Sequence, residues 1–356
     1  MRVVLAGGGT GGHVIPALAI AQQLQREFSA EVLFIGTARG MENRLVPAAG
    51  FELRLVQVGA LNRVSLATRL RTLVDLPRAV WTASRLLTGF QADVVIGVGG
   101  YASGPAMAAA ILRKIPTLAF EPNVIPGFAN RVIARWVSGA AVHFEETCRY
   151  FPHCQVTGVP VRAAFFRMAR KAPGTQPTLL VFGGSQGARA INDAMIDSLA
   201  GLRERTPEIY IVHQTGERDF ERVRAAYQKA GFPGEVHKFI DDMPAMFARA
   251  DLLVCRSGAS TVAEITAAGK PAVFVPFPRA ADDHQNVNAR ALERMNAAVV
   301  VEESSLEAAY LVDTIAALIT DPGRLQAMAA AATSLAHPQA VQEIAAIVNE
   351  LAGALG

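Results

Sequence analysis

Short apolar runs alternate with amphipathic stretches along almost the whole chain. In the first half the runs fall near residues 3–7, 31–36, 52–58, 93–98, 117–120 and 140–144. Helical patterns fill the gaps; within residues 16–28, Ala17, Ile20, Ala21 and Leu24 share one face. The pattern pauses between Val161 and Thr178, where Ala172-Pro-Gly-Thr-Gln-Pro177 reads as an interdomain linker. It restarts with runs near 178–182, 209–214, 235–239, 252–255, 272–276 and 298–301, and ends in an Ala-rich helical tail after Ser305. Strand and helix in strict alternation predict parallel, doubly wound α/β sheets. The pause places one domain over 1–162 and a second over 163–337.

Both halves open on a strand that feeds a glycine turn, Gly7-Gly-Gly-Thr-Gly-Gly12 followed by His13, and Gly183-Gly-Ser-Gln-Gly187. The architecture is repeated without close sequence repetition, so two Rossmann-like domains facing across a cleft are expected. The stretch from Ala250 to Ala289 carries the most chemistry. An apolar run ends in Arg256-Ser-Gly-Ala-Ser260, a helical segment follows to Ala268, and a second apolar run begins after Gly269. Such a βαβ unit puts both strand ends on one edge, where ligands of open sheets collect. Its turn presents backbone N–H groups at a helix N-terminus, which favours an anion, here a diphosphate. Glu264, one turn in, suits a pair of sugar hydroxyls. Thr261-Val-Ala-Glu264 also fits a capping box, in which the Glu only satisfies a backbone donor. Gln285 and Asn286 sit on a polar loop that reads equally as a solvated helix start.

Composition narrows the class. At 356 residues, 51% hydrophobic and 18% charged, the chain exceeds one ordinary core. The opening run is a strand, so no secretory leader is expected. Residues 92–112 are long enough to span a bilayer, but Gly97, Gly99, Gly100, Gly104 and Pro105 break them. A soluble or peripheral protein is expected. Cys148, Cys154 and Cys255 form no CxxC, which suggests reduced thiols in a reducing compartment. His143, Cys148, His153 and Cys154 match no common zinc spacing. The net charge of +3 is uneven: residues 1–160 hold 15 basic against 9 acidic residues, and the remainder 19 against 22. The first half therefore suits an anionic partner.

Gly7-x-Gly9-x-x-Gly12 satisfies the dinucleotide pattern, but the second strand ends Ile35-Gly-Thr-Ala-Arg39 without the acid that NAD requires. Arg39 would serve a 2′-phosphate, which leaves an NADP-linked reductase as an alternative; a two-domain nucleotide-binding module without turnover is another. His13, at a helix start beside the glycine loop, is placed to stay neutral and accept a proton from a hydroxyl. It would otherwise merely cap the turn. No DxD triplet occurs, so leaving-group charge would fall to N–H groups, helix ends and arginine. No metal and no cofactor are expected.

Taken together, GGGTGGHVIPALA, GVGGYASGPAMAAA, FEPNVIPGFANR, GVPVR, FGGSQGARAIN, FIDDM, CRSGASTVAEI and PFP…DHQNVNA resemble the MurG family of bacterial glycosyltransferases (family 28), in register over nearly the whole chain. The resemblance implies a GT-B fold and an inverting, metal-independent transfer of N-acetylglucosamine from UDP-N-acetylglucosamine. The implied acceptor is the C4 hydroxyl of the N-acetylmuramyl unit of lipid I, an undecaprenyl-diphosphate-linked N-acetylmuramyl-pentapeptide, and the product is lipid II for peptidoglycan. Another GT-B glycolipid transferase is the nearest alternative. The C-terminal helix, about 338–356, is expected to pack back on the first domain.

The resemblance also implies site roles. Glu264 would hold the ribose hydroxyls, now in preference to a cap, and Ile240 the uracil edge through its backbone. Ser185 and the turn Ser257, Gly258, Ala259, Ser260 and Thr261, with Val262 and Ala263 behind it, would meet the diphosphate. Gln285 and Asn123 would contact the sugar, and Arg162 would lie near the phosphates. Thr10, Gly11 and Gly12 would line the cleft, with His13 beside the acceptor hydroxyl and His13 or Glu121 as catalytic base. The family often shows His-Glu-Gln-Asn where this chain has Phe120-Glu-Pro-Asn123, so roles of those His and Gln side chains do not carry over. Finally, residues 66–87 set Arg69, Arg71, Arg78 and Arg85 among Leu66, Leu70, Leu73, Val74, Val80, Trp81, Leu86 and Leu87, with Arg63 upstream and Pro77 expected to start a second segment. Beyond packing on a sheet, this composition suits peripheral docking on an anionic membrane surface, at the cytoplasmic face of the cell membrane. Other cell-wall synthesis proteins are further expected partners, and nucleic acid is not.

Overall fold

The computed structural model describes residues 1–38, 40–58, 66–169, 171–172 and 174–354, with the side chains of 66–74 excepted. Two compact units emerge: Met1–Pro160 with Gln339–Gly356, and Val161–Pro338. The first holds seven strands, β1 Arg2–Ala6, β2 Glu31–Gly36, β3 Glu52–Leu55, β4 Val94–Gly97, β5 Thr117–Glu121, β6 Gly139–Val142 and β7 Cys154–Val156. They pair in parallel in the order β3-β2-β1-β4-β5-β6-β7. The second holds β8 Thr178–Phe182, β9 Tyr210–Gln214, β10 Gly234–His237, β11 Leu252–Cys255, β12 Ala272–Phe274 and β13 Ala298–Val300. These too are parallel, in the order β10-β9-β8-β11-β12-β13. Each sheet reverses its strand order once, between β1 and β4 and between β8 and β11, and that switch point opens a crevice at the carboxyl ends.

The central strands are apolar runs because both faces are covered. Val3, Val4 and Leu5 in β1 and Leu252, Leu253 and Val254 in β11 are all solvent-inaccessible. Helices of the first unit are α1 Gly11–Phe28, α2 Glu42–Ala48, α3 Leu66–Phe90, α4 Ser103–Leu112 and α5 Phe128–Ile133. α1 buries Ala17, Ile20, Ala21 and Leu24, the stripe its periodicity predicts, and Val14 before them. It begins earlier than predicted, capped at Thr10, and runs through Pro16. α3 likewise continues through Pro77 instead of restarting there. Among its described side chains Ala79, Ala83 and Leu87 are buried, one turn apart, while Trp81 is 61% exposed.

The second unit adds α6 Ala163–Phe166, α7 Arg189–Arg205, α8 Phe220–Ala230, α9 Met243–Arg249, α10 Ala259–Ala268, α11 His284–Arg294, α12 Ala308–Ile319 and α13 Pro322–Ser334. The last helix, α14 Ala340–Gly353, belongs to the first unit and packs on α1. Ahead of the linker stretch, Phe165 is buried edge-on against Phe247 at 5.1 Å. Lys171 pairs with Asp251, whose carboxylate also accepts from the Thr178 N–H. One sequence expectation changes: the thiols are not all reduced. β7 brings Cys154 to within 5.3 Å (Cα–Cα) of Cys148, and the two form a disulfide; Cys255 alone stays free, and it is buried.

Candidate active site

In the second unit, β11 ends at Cys255 and Gly258 is the N-cap of α10, in extended geometry with no side-chain cap bond. The first helical N–H groups, from Ala259 to Thr261, therefore have no intrahelical carbonyl to reach and face the strand ends as an anion cradle. Val262 and Ala263 are buried on the far side of the helix, so any ligand meets their backbone alone. Thr261 is the third helical residue and Glu264 the sixth, which takes Glu264 out of reach of a capping box. Burial instead pushes the Glu264 carboxyl up to about 7, against a weaker downward pull from the Arg162 guanidinium. Arg162 itself is exposed and lies over the Phe165 ring at 5.1 Å.

The loop after β12 is braced against this cradle. The Ser257 hydroxyl donates to the Gln285 carbonyl at 2.8 Å, and the Gln285 side-chain oxygen accepts from the Phe277 N–H at 3.0 Å. Arg256 donates to the carbonyls of Val275 and Pro276, both at 3.0 Å, and pairs with Glu303. Ser257 thus spends its hydroxyl on architecture, not on a phosphate. Gln285 offers a ligand its amide nitrogen. Asp282 and Asp283 both sit at positive φ, 50° and 54°, immediately before α11, a strained pair of the kind that functional loops retain.

Between β8 and α7 the second glycine turn has Ser185 exposed at its tip. Gly187 needs its glycine: φ is 72° and a Cβ would fall 1.8 Å from the Thr215 carbonyl oxygen. Sequence reasoning missed the residue that ties this turn to the segment at Ile240. Gln214, buried at the end of β9, donates to the Gly184 carbonyl at 2.9 Å and accepts from the Ile240 N–H at 2.8 Å. Ile240 therefore has only its carbonyl to offer a uracil ring. Beneath the turn, His213 is fully buried between Tyr227 (3.1 Å to Nδ1) and Asn192 (3.0 Å to Nε2). Burial pulls its imidazole down to about 3, so it is neutral.

In the first unit, Thr10, Gly11 and Gly12 begin α1 beside the first glycine turn. His13 places Nδ1 3.1 Å from the Gly8 carbonyl and 3.4 Å from the Thr10 hydroxyl. A carbonyl only accepts, so Nδ1 carries the proton and Nε2 the lone pair. Gly99, with φ of 88°, makes room for that nitrogen: a Cβ there would lie 3.1 Å from Nε2. The glycine turn does not stand empty for a dinucleotide. Glu42, 1% exposed, accepts from the Gly9 N–H at 2.7 Å and from Thr37 N–H and Oγ1 at 3.0 and 3.1 Å. These bonds hold its carboxyl below the usual range although burial, the largest influence, acts the other way. A carboxylate where a pyrophosphate would sit argues against the reductase; Arg39 lies outside the described residues.

Glu121, the other candidate base, is held by bonds within the first unit. It is buried, and its oxygens accept from Asn123 N–H (3.1 Å), Asn123 Nδ2 (3.0 Å), Gly127 N–H (2.9 Å) and Asn130 Nδ2 (3.0 Å). Four donors fill a carboxylate's acceptor sites. Glu121 instead shapes the 122–127 loop that presents Asn123, and burial raises its carboxyl in spite of those bonds. Among the described residues no group of three His, Cys, Asp or Glu side chains is arranged to hold a metal ion.

Two parallel α/β units, one with an open anion cradle beside a titratable carboxylate and one with an imidazole on a glycine turn, define a nucleotide-sugar transferase of the GT-B class. The N-terminal and C-terminal domain profiles of glycosyltransferase family 28 match residues 3–142 and 178–344. The chain belongs to that family, and within it to the MurG group. It is 46% identical over 351 residues to the UDP-N-acetylglucosamine--N-acetylmuramyl-(pentapeptide) pyrophosphoryl-undecaprenol N-acetylglucosamine transferase of Solibacter usitatus, covering 98% of this chain and 96% of that one. The protein of the same name from Anaeromyxobacter sp. (strain Fw109-5) is 46% identical over 356 residues, covering 99% and 93%. The crystal structure of Acinetobacter baumannii MurG superposes with a TM-score of 0.84 at 32% identity, covering 98% of this chain and 99% of that one.

Proposed function

We propose that this protein transfers N-acetylglucosamine from UDP-N-acetylglucosamine to the C4 hydroxyl of the N-acetylmuramyl unit of lipid I, with inversion, giving lipid II. The observation that carries this reading is full-length identity of 46% to enzymes named for that transfer. The chain's own residues suit each step. Glu264 grips the ribose hydroxyls, the Ile240 carbonyl meets the uracil N–H, and the Gln285 amide and Asn123 meet the sugar. His13 Nε2 takes the proton of the acceptor hydroxyl as its oxygen bonds to the anomeric carbon and the bond from that carbon to the UDP phosphate breaks. The charge left on UDP is met by the N-terminus of α10, the Gly183–Gly187 turn with Ser185, and Arg162. Thr10, Gly11 and Gly12 present α1's N-terminus to the acceptor. No step requires a metal. Incubation with UDP-N-acetylglucosamine and a lipid I analogue in EDTA tests this: UDP release that depends on acceptor supports the reading, and release without acceptor, or none, removes it.

The reaction's lipid-anchored acceptor calls for docking at the cytoplasmic face of the membrane, and no described helix is long and apolar enough to cross it. The outward face of α3 supports docking there, with Trp81 61% exposed, Arg85 stacked on it at 4.9 Å, and Arg78 exposed. Leu112 at the end of α4 and Trp136 just after α5 are also exposed, beside Arg113 and Arg135. Leu66, Arg69, Leu70, Arg71, Leu73 and Val74, whose side chains are outside the described set, and Arg63 complete the segment. Sedimentation with anionic vesicles at low and high salt is the check; binding that ignores Trp81 and Arg78 substitutions would move the docking surface elsewhere.

A further inference from the structure

The first unit contains a buried carboxylate that the proposed transfer does not use. Glu42 lies 33 residues from Gly9 in sequence, at the first turn of α2, yet its Oε2 accepts from the Gly9 N–H at 2.7 Å. That N–H belongs to the peptide group joining Gly8 to Gly9. The carbonyl of the same peptide group accepts from His13 Nδ1 at 3.1 Å. One planar amide therefore stands between a carboxylate and an imidazole, with its N–H toward the first and its C=O toward the second.

Such an arrangement has a physical consequence. Hydrogen bonds in series polarise one another, so a carboxylate on the N–H makes the carbonyl a stronger acceptor. A stronger acceptor fixes the proton on Nδ1, which leaves the lone pair on Nε2 and orients the ring. In hydrolase triads a carboxylate does this by direct contact with the imidazole. Here the contact would pass through one peptide.

The surroundings hold the carboxylate in place. Its other oxygen takes two bonds from Thr37, at 3.0 and 3.1 Å. A Cβ on Gly8, Gly36 or Gly40 would fall within 2.7 Å of its atoms, at 2.3, 2.7 and 1.8 Å. Three close-approach glycines thus frame one side chain that is 1% exposed.

We propose that Glu42 is a positioning residue for His13, acting through the Gly8–Gly9 peptide to hold the imidazole in its Nδ1-protonated, Nε2-accepting form. The inference rests on the reading of His13 as the base. Glu42→Ala removes both the charge and the acceptor, whereas Glu42→Gln keeps an acceptor oxygen without the charge. Glu42→Ala is expected to lower acceptor-dependent turnover about 10- to 100-fold, the range seen when a hydrogen-bond partner that orients a metal-bound histidine is lost, with UDP affinity unchanged. Acetate or formate should restore part of that turnover, while chloride at equal ionic strength should not. Glu42→Gln should fall between. In ¹⁵N spectra His13 should be the Nδ1-protonated tautomer in the native protein and a mixture in Glu42→Ala.

Native turnover in Glu42→Ala would overturn the proposal. So would a loss that acetate does not relieve and that leaves the His13 tautomer unchanged. Should Glu42→Ala fail to fold, Glu42→Gln carries the same tautomer and turnover readings. His13→Ala in the same assay separates the two levels: if it turns over normally the base assignment fails, whereas if it is impaired and Glu42→Ala is not, only the role of Glu42 fails.

Discussion

Replacing Glu264 by glutamine separates a buried ligand carboxylate from a cap, because the two roles predict different effects on stability and on UDP binding. In the folded protein burial pushes this carboxyl up to about 7, against 4.5 in an unfolded chain. Between those pH values the folded state holds a proton that the unfolded state has released. Stability is therefore fully present below pH 4.5 and is lost as pH rises through 7. The interval of roughly 2.5 pH units corresponds to at most about 3.4 kcal/mol at 1.36 kcal/mol per unit. Glutamine is neutral throughout, so Glu264→Gln should match the native protein near pH 4.5. It should exceed it at pH 8, by several degrees of melting temperature at about 2–4 °C per kcal/mol for a unit of this size. Binding should move the other way. Charged hydrogen bonds are worth about 1.5–3 kcal/mol each, so losing the pair to ribose should weaken UDP by at least about tenfold. A capping residue would instead leave stability and UDP affinity both near native at every pH, because glutamine caps as glutamate does. Thermal melts at the two pH values and calorimetry with UDP decide it. A variant no more stable than the native protein at pH 8, with native UDP affinity, would refute the reasoning.

Gln214→Leu removes the bridge between the Gly184 carbonyl and the Ile240 N–H, and calorimetry should show UDP about 10- to 100-fold weaker for two lost bonds; unchanged affinity would contradict the bridging role. His213 is held down to about 3 against 6.5 when unfolded, so the native protein should lose stability as pH falls from 6.5 toward 3. His213→Phe strands the Tyr227 hydroxyl and Asn192, should cost about 2–4 kcal/mol at neutral pH, and should flatten that acid dependence in urea titrations at pH 7 and 4; an equally steep slope would contradict it. His13→Ala should lower turnover about 10²- to 10⁴-fold with UDP affinity retained, read by steady-state kinetics beside calorimetry; native turnover would remove His13 as base.

Both sheets were legible because their central strands are apolar on each face, and the glycine turns marked where strands end. β7 was missed because Cys154-Gln-Val156 is a three-residue edge strand, partly exposed, with no run to read. The start of α1 was missed because Gly11 and Gly12 read as loop, although Thr10 holds the N-cap position before them in extended geometry, without a side-chain cap bond. Thr261 and Glu264 satisfied the spacing of a capping box, but a cap is set by where the backbone turns helical, and it turns at Gly258. Glu42 and Gln214 could not be found from pattern at all. Their partners lie 33 residues away for Gly9, and 30 and 26 for Gly184 and Ile240; such contacts exist only once the sheets have formed. Glu121, by contrast, was visible as an acid beside the site, and only its four bonds reveal that it organises a loop.

The most direct measurement is the structure of the product. Native protein, UDP-N-acetylglucosamine and a soluble lipid I analogue should yield a disaccharide whose NMR spectrum shows a new β-glycosidic bond to the C4 oxygen of the N-acetylmuramyl ring. An α-configured bond would contradict direct displacement from the α-linked donor, and a bond to any other oxygen, or none, would contradict the assigned acceptor.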